Sequence, residues 1–129
     1  MTDSAAAAAP LRVLLVDPDD RIRESLAGLL RIGQRVLVVG SAGTADATLR
    51  LARETAPDVV VVDPRLPGTD GGTAFITRIR DVAPAARILV LIWSEAPDAA
   101  WGADAYTRKT FRSHELIDAV VSAAGRSVA

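Results

Sequence analysis

Two alternating periodicities limit what this chain can fold into more than any other feature. Short runs rich in β-branched residues occupy positions 11–16, 35–39, 58–63, 87–92 and, more weakly, 104–108. Most are apolar at consecutive positions, which is the pattern of strands covered on both faces in a parallel sheet. Between the first two runs, Ile22, Leu26, Leu29 and Leu30 recur at i, i+4, i+7 and i+8, so they share one side of a helix. Arg21, Arg23 and Glu24 are expected to point outward from it. Similar stripes are carried by Ala45, Leu49, Ala52 and Ala56, by Phe75, Ile76, Ile79 and Val82, and by Leu116, Ile117, Val120 and Val121. Burial against a sheet accounts for all of them without a ligand. Asp20, Asp70 and Ser113 stand where N-caps are wanted. Strands alternating with helices imply right-handed βαβ crossovers and an α/β fold. Residues 93–103, interrupted by Pro97, leave room only for a shortened fourth helix.

The length of 129 residues suits one domain of ordinary size, expected over residues 11–129. Residues 1–10 form an alanine-rich leader with little side chain to bury and are expected to be disordered. The 15 basic residues nearly cancel the 16 acidic ones, so no net field draws this chain to nucleic acid or to an anionic membrane. The longest apolar run, residues 88–93, falls far short of the ~20 residues that cross a bilayer, and residues 1–10 lack the features of a secretory signal. A cytoplasmic location is expected. The absence of cysteine excludes a disulfide framework, a Cys-ligated zinc and a thiol nucleophile. Arginine supplies 14 of the basic residues and lysine one, Lys109, beside 24 alanines. That bias fits a GC-rich genome and makes lysine scarce, but it does not dictate where the single lysine stands.

In an open parallel α/β sheet, function gathers beyond the carboxyl ends of the strands. The first run ends Val16-Asp17-Pro18, the third Val62-Asp63-Pro64-Arg65, the fourth Leu91-Ile92-Trp93-Ser94 and the fifth Thr107-Arg108-Lys109. Two carboxylates and an ammonium therefore converge. Such a cluster can hold a hard cation, offer a carboxylate as a nucleophile to a phosphoryl group, and neutralise the resulting charge. Asp19 and Asp20 are better explained as capping and flanking a helix N-terminus, and His114, the only histidine, as a solvent-facing residue.

These segments resemble the response-regulator receiver domain of bacterial two-component signalling. The most specific is residues 57–71, from Pro57-Asp58 through Asp63 to Pro67-Gly68-Thr69-Asp70-Gly71, similar to the family's strand, phosphoacceptor and following turn. The second is Gly102-Ala103-Asp104-Ala105-Tyr106-Thr107-Arg108-Lys109, and Val16-Asp17 with Arg23-Glu24 and Leu26 adds a third. The likeness runs from Leu11 to about Gly125 and has the flavour of receivers of LuxR-type regulators. It implies a flavodoxin-like, doubly wound five-stranded parallel sheet of order 2-1-3-4-5 with helices on both faces. It further implies Asp63 as phosphoacceptor, Lys109 as phosphate contact, and a switch pair at Ile92 and Tyr106. Asp17, Asp63 and the backbone carbonyl of Arg65 would hold magnesium. The partners it implies are a histidine kinase or another signalling protein, and a second copy through the region of the fourth helix, fifth strand and fifth helix. It implies a binding module rather than an enzyme.

Three departures fall on that chemistry. Pro18 stands where the family carries a second acidic residue and offers neither carboxylate nor N–H, so magnesium is expected to bind weakly. Ile92 stands where the family carries a hydroxyl. Ser94 lies about 6–7 Å further along at strand rise and is a poor substitute. Trp93, next to Ile92, is large enough to cover the pocket, and the fourth helix is shortened between Trp93 and Trp101. The expectation is an atypical receiver that acts by protein docking with weak or no phosphorylation. The alternatives are a functional phosphoacceptor at Asp63 and a pseudo-receiver that senses a small molecule beneath Trp93.

Overall fold

The computed structural model describes residues 9–63, 65–66, 72–92 and 102–125. Its strands are β1 (Leu11–Val16), β2 (Val36–Ala42), β3 (Val59–Val62), β4 (Arg87–Ile92) and β5 (Ala105–Arg108). The helices among the described residues are α1 (Asp20–Arg31), α2 (Ala45–Thr55), α3 (Gly72–Val82) and α4 (Ser113–Ala123), with a 3-10 turn over Ile32–Gln34. The strands form one parallel sheet in the order β2-β1-β3-β4-β5. This is the expected flavodoxin-like topology. Of the expected leader, residues 1–8 lie outside the described residues, as do 93–101, where the shortened helix was expected.

Alternation along the strands sends successive side chains to opposite faces. Leu11, Val13 and Leu15 of β1, with Val59, Val61, Leu89 and Leu91, pack beneath Leu26 and Leu30 of α1 and Leu116 and Val120 of α4. On the other face, Leu14, Val16, Val60, Val62, Ile88 and Val90 meet Ala45 and Ala52 of α2 and Phe75, Ile76 and Ile79 of α3. The sheet is therefore covered on both sides, which explains the apolar runs. Among the described residues, no helix is long and apolar enough to cross a membrane.

Several local expectations are corrected. The cap of α1 is Asp19, with Asp20 flanking it, rather than Asp20 itself: the Asp19 carboxylate accepts from the N–H groups of Arg21 and Ile22 at 2.8 and 3.2 Å. Asp20 is the first helical residue and pairs with Arg23 one turn on. Ser113 likewise begins α4 rather than capping it, and Arg112 takes the cap position without a side-chain capping bond. Asp70 lies outside the described residues. β2 runs over Val36–Ala42 instead of residues 35–39, because Gly33 (φ 83°) and Gln34 (φ 60°) take left-handed conformations that delay the strand. In α2 Thr48 is fully buried as well, beside Leu49, which is partly buried and packs against the core as expected. The Thr48 hydroxyl can be buried because it donates to the Thr44 carbonyl at 2.7 Å. Ala56 is exposed, since it closes α2 in a left-handed conformation at φ 46°.

Candidate functional site

Asp17, Asp63 and Lys109 each follow the last residue of a strand, and the register brings them level. Val16 pairs with Val62, so the aspartates that follow leave the sheet side by side. Backbone bonds fix this placement: the Asp63 N–H donates to the Val16 carbonyl at 3.0 Å and the Asp17 N–H to that of Ala42 at 3.1 Å. Across β4, the Lys109 N–H donates to the Ile92 carbonyl at 2.7 Å, which turns its side chain back over the sheet end. The ammonium then reaches Oδ2 of Asp63 at 2.8 Å and Oδ2 of Asp17. The convergence expected from the strand ends is observed.

All three groups are buried, Asp17 and Asp63 at 1% exposure and Lys109 at 9%. Removing an ion from water costs several kcal/mol, so each charge needs partners. Asp17 has the Lys109 ammonium on one oxygen and the Asp19 N–H on the other at 2.9 Å. Asp63 accepts from Lys109 and also from Arg65 three times: from its N–H at 2.9 Å and Nε at 3.1 Å on Oδ1, and from Nη2 at 2.7 Å on Oδ2. Burial is the largest single influence on Asp63 and pushes its carboxyl pKa up, but the hydrogen bonds from Arg65 and Lys109 together outweigh it and hold the group below its ordinary value. The carboxylate in turn pushes the Arg65 guanidinium higher still.

No oxygen of either carboxylate lacks a donor from the chain itself. Pro18, exposed beside Asp17, contributes none of the chemistry of an acid. The described residues contain no group of three or more His, Cys, Asp or Glu side chains placed to hold a metal. Each carboxylate oxygen on which a divalent cation would draw already accepts a hydrogen bond from the chain.

Two arginines at the site were not legible as such. Arg65 was expected to offer its backbone carbonyl to a metal, yet its side chain is what engages Asp63. Arg23 was expected to face solvent but lies back against the sheet, with Nη1 donating to the Asp17 carbonyl at 2.6 Å and Nε to Ser41 Oγ at 2.8 Å. Gly43 makes room for it, since a Cβ there would stand 2.5 Å from Nη1. Ile92, 7% exposed, belongs to the apolar cluster with Ile88 and Val90, so the position of the expected switch hydroxyl is part of the core. Tyr106 is half-buried against that cluster, and its hydroxyl accepts from the Ala103 N–H at 3.3 Å. Trp93, the expected pocket cover, and Ser94 lie outside the described residues. His114 is exposed, as expected.

Residues 13–121 match the family model described as the response regulator receiver domain. The transcriptional regulatory protein LiaR of Bacillus subtilis is 32% identical over 118 residues, covering 88% of this chain and 56% of LiaR. A protein-glutamate methylesterase/protein-glutamine glutaminase of Myxococcus xanthus is 44% identical over 82 residues, covering 64% of this chain but 22% of that enzyme. A LuxR-family two-component response regulator from Aurantimonas superposes with a TM-score of 0.79 at 36% identity, over 91% of this chain and 87% of that one. The chain thus spans about half the length of a regulator such as LiaR and under a quarter of the enzyme. From the match over residues 13–121, the shared topology and the paired strand-end aspartates facing a lysine, the chain belongs to the response regulator receiver domains of two-component signalling.

Proposed function

We propose that this receiver signals chiefly by docking to a protein partner, a histidine kinase or another signalling protein, and that phosphoryl transfer to Asp63 is weak or absent. The observation that carries this reading is the pairing of every Asp17 and Asp63 oxygen with a donor of the chain itself. Receiver domains typically bind magnesium at their phosphorylation site. Here Pro18 removes one acidic ligand, and the remaining carboxylates are already neutralised by Lys109 and Arg65, so magnesium binds weakly. Ile92 in turn brings no hydroxyl to a phosphoryl oxygen. The receiver unit is residues 11–129, and residues 1–10 are a leader outside it. The docking side is the one the family resemblance implies, and among the described residues it comprises β5 and α4. Phe111, 48% exposed in the connection from β5 to α4, supplies an apolar contact there, and the same side serves a homodimer. The chain acts by binding, in the cytoplasm, without turnover of its own.

A second reading, a working phosphoacceptor, rests on the Asp63–Lys109 contact at 2.8 Å and predicts the opposite result. Incubating the protein with magnesium and acetyl phosphate and weighing it separates the two. The wild type is expected to gain no stoichiometric phosphoryl mass over a period in which the Pro18→Asp/Ile92→Thr double variant does. Rapid gain by the wild type, abolished in Asp63→Asn, would overturn docking as the principal mode. A double variant that gains nothing would sink the explanation by positions 18 and 92.

A further inference from the structure

We propose that Arg65 is the residue that sets this site against divalent cations: its guanidinium takes the carboxylate edge of Asp63 that a metal ion would need. The assignment rests on the docking reading and adds to it a residue that decides which cation the site accepts. The fork meets both oxygens, Nε on Oδ1 at 3.1 Å and Nη2 on Oδ2 at 2.7 Å. A planar bidentate pair of this kind is stronger and more directional than a single ammonium contact. The charges also balance. Asp17 and Asp63 bring two negative charges, and Lys109 and Arg65 bring two positive ones. A divalent ion entering with both cations in place meets a neutral cluster with positive groups already on its carboxylates. It gains access only if one leaves.

Arg65 is the one that can leave. Lys109 has a side chain 1% exposed and bridges both aspartates, whereas the Arg65 side chain is 60% exposed. Swinging it into water breaks two side-chain bonds and leaves the bond from its backbone N–H to Asp63 Oδ1 intact. The guanidinium thus acts as a detachable cation on a buried carboxylate, and its withdrawal is the step that would expose Asp63.

Titration with magnesium chloride at constant ionic strength, read by amide shifts of the loops after β1 and β3, tests the assignment on the full chain. Arg65→Ala is expected to bind magnesium about tenfold more tightly than the wild type, through loss of a competing charge-assisted pair. Arg65→Lys is expected to fall between them, because a point charge cannot fork. Arg65→Gln keeps the length and loses the charge, so it should follow Arg65→Ala even if the alanine variant folds poorly. Equal magnesium midpoints in wild type, Arg65→Ala and Arg65→Gln would overturn the role of Arg65 and leave the docking reading standing. Rapid acetyl phosphate labelling of the wild type would instead defeat the docking reading, while the titration still decides on Arg65.

Discussion

At Asp63 two opposing effects meet: burial penalises its negative charge, and the donors of Arg65 and Lys109 reward it. The donors prevail, so the folded-state pKa lies below the ordinary 3.8. Between those two values the unfolded chain binds more protons at this position than the folded one, so stability from this group is present above 3.8 and is lost as pH falls through the folded value. Urea unfolding between about pH 2 and pH 5 should therefore show a shallower loss of stability on acidification in Asp63→Asn than in the wild type. An equal or steeper loss in the variant would contradict the balance described. Asp17, Asp63 and Lys109 were legible in the sequence because each follows a strand, and strand ends in a parallel sheet share one side. The partner of Arg65 was not, because a long side chain on a loop takes its target from tertiary placement, which the spacing of residues does not encode.

Among the elements, α1 shows how far pattern reading reaches. Its apolar stripe located the helix, and Leu26 and Leu30 are fully buried as expected. Its first residue was misplaced by one because Asp19 and Asp20 are chemically equivalent caps, and only backbone conformation separates them: Asp19 is extended at φ −97°, ψ 117°. Asp19→Ala should accordingly cost about 1 kcal/mol in unfolding free energy, by removing the acceptor for two orphan N–H groups. Asp20→Ala should cost less, since Asp20 is exposed and caps no backbone N–H of the helix. Denaturant titration of the two variants in parallel checks the order, and a reversed order would return the cap to Asp20. The β2 boundary was harder to read, because left-handed Gln34 carries no glycine signal.

Across the whole molecule, the sheet divides the apolar interior into two packed layers that share its strands. The layer under α2 and α3 holds Phe75, with no exposed surface, so Phe75→Ala should lower unfolding free energy by about 3–5 kcal/mol. Thermal or urea unfolding measures it, and a loss well under 1 kcal/mol would mean that the layer repacks. A parallel sheet covered on both faces was readable from the alternation of strands and helices, while its strand order followed from the family resemblance. The register of β2 against β1 was not: Val13 pairs with Val38 but Leu14 pairs with Gly40, so Val39 is an extra residue. Because strand side chains alternate between faces, one inserted residue reverses the facing of everything after it. Ala42 thereby joins the α2–α3 layer, and Ser41 turns to the side of α1, where Arg23 reaches it. The bulge in this edge strand works as a phase shifter. It couples the length of a peripheral strand to the arm that holds the backbone of Asp17, so a one-residue deletion at Val39 would be felt in the acidic loop, on the next strand, rather than at the edge where it was made.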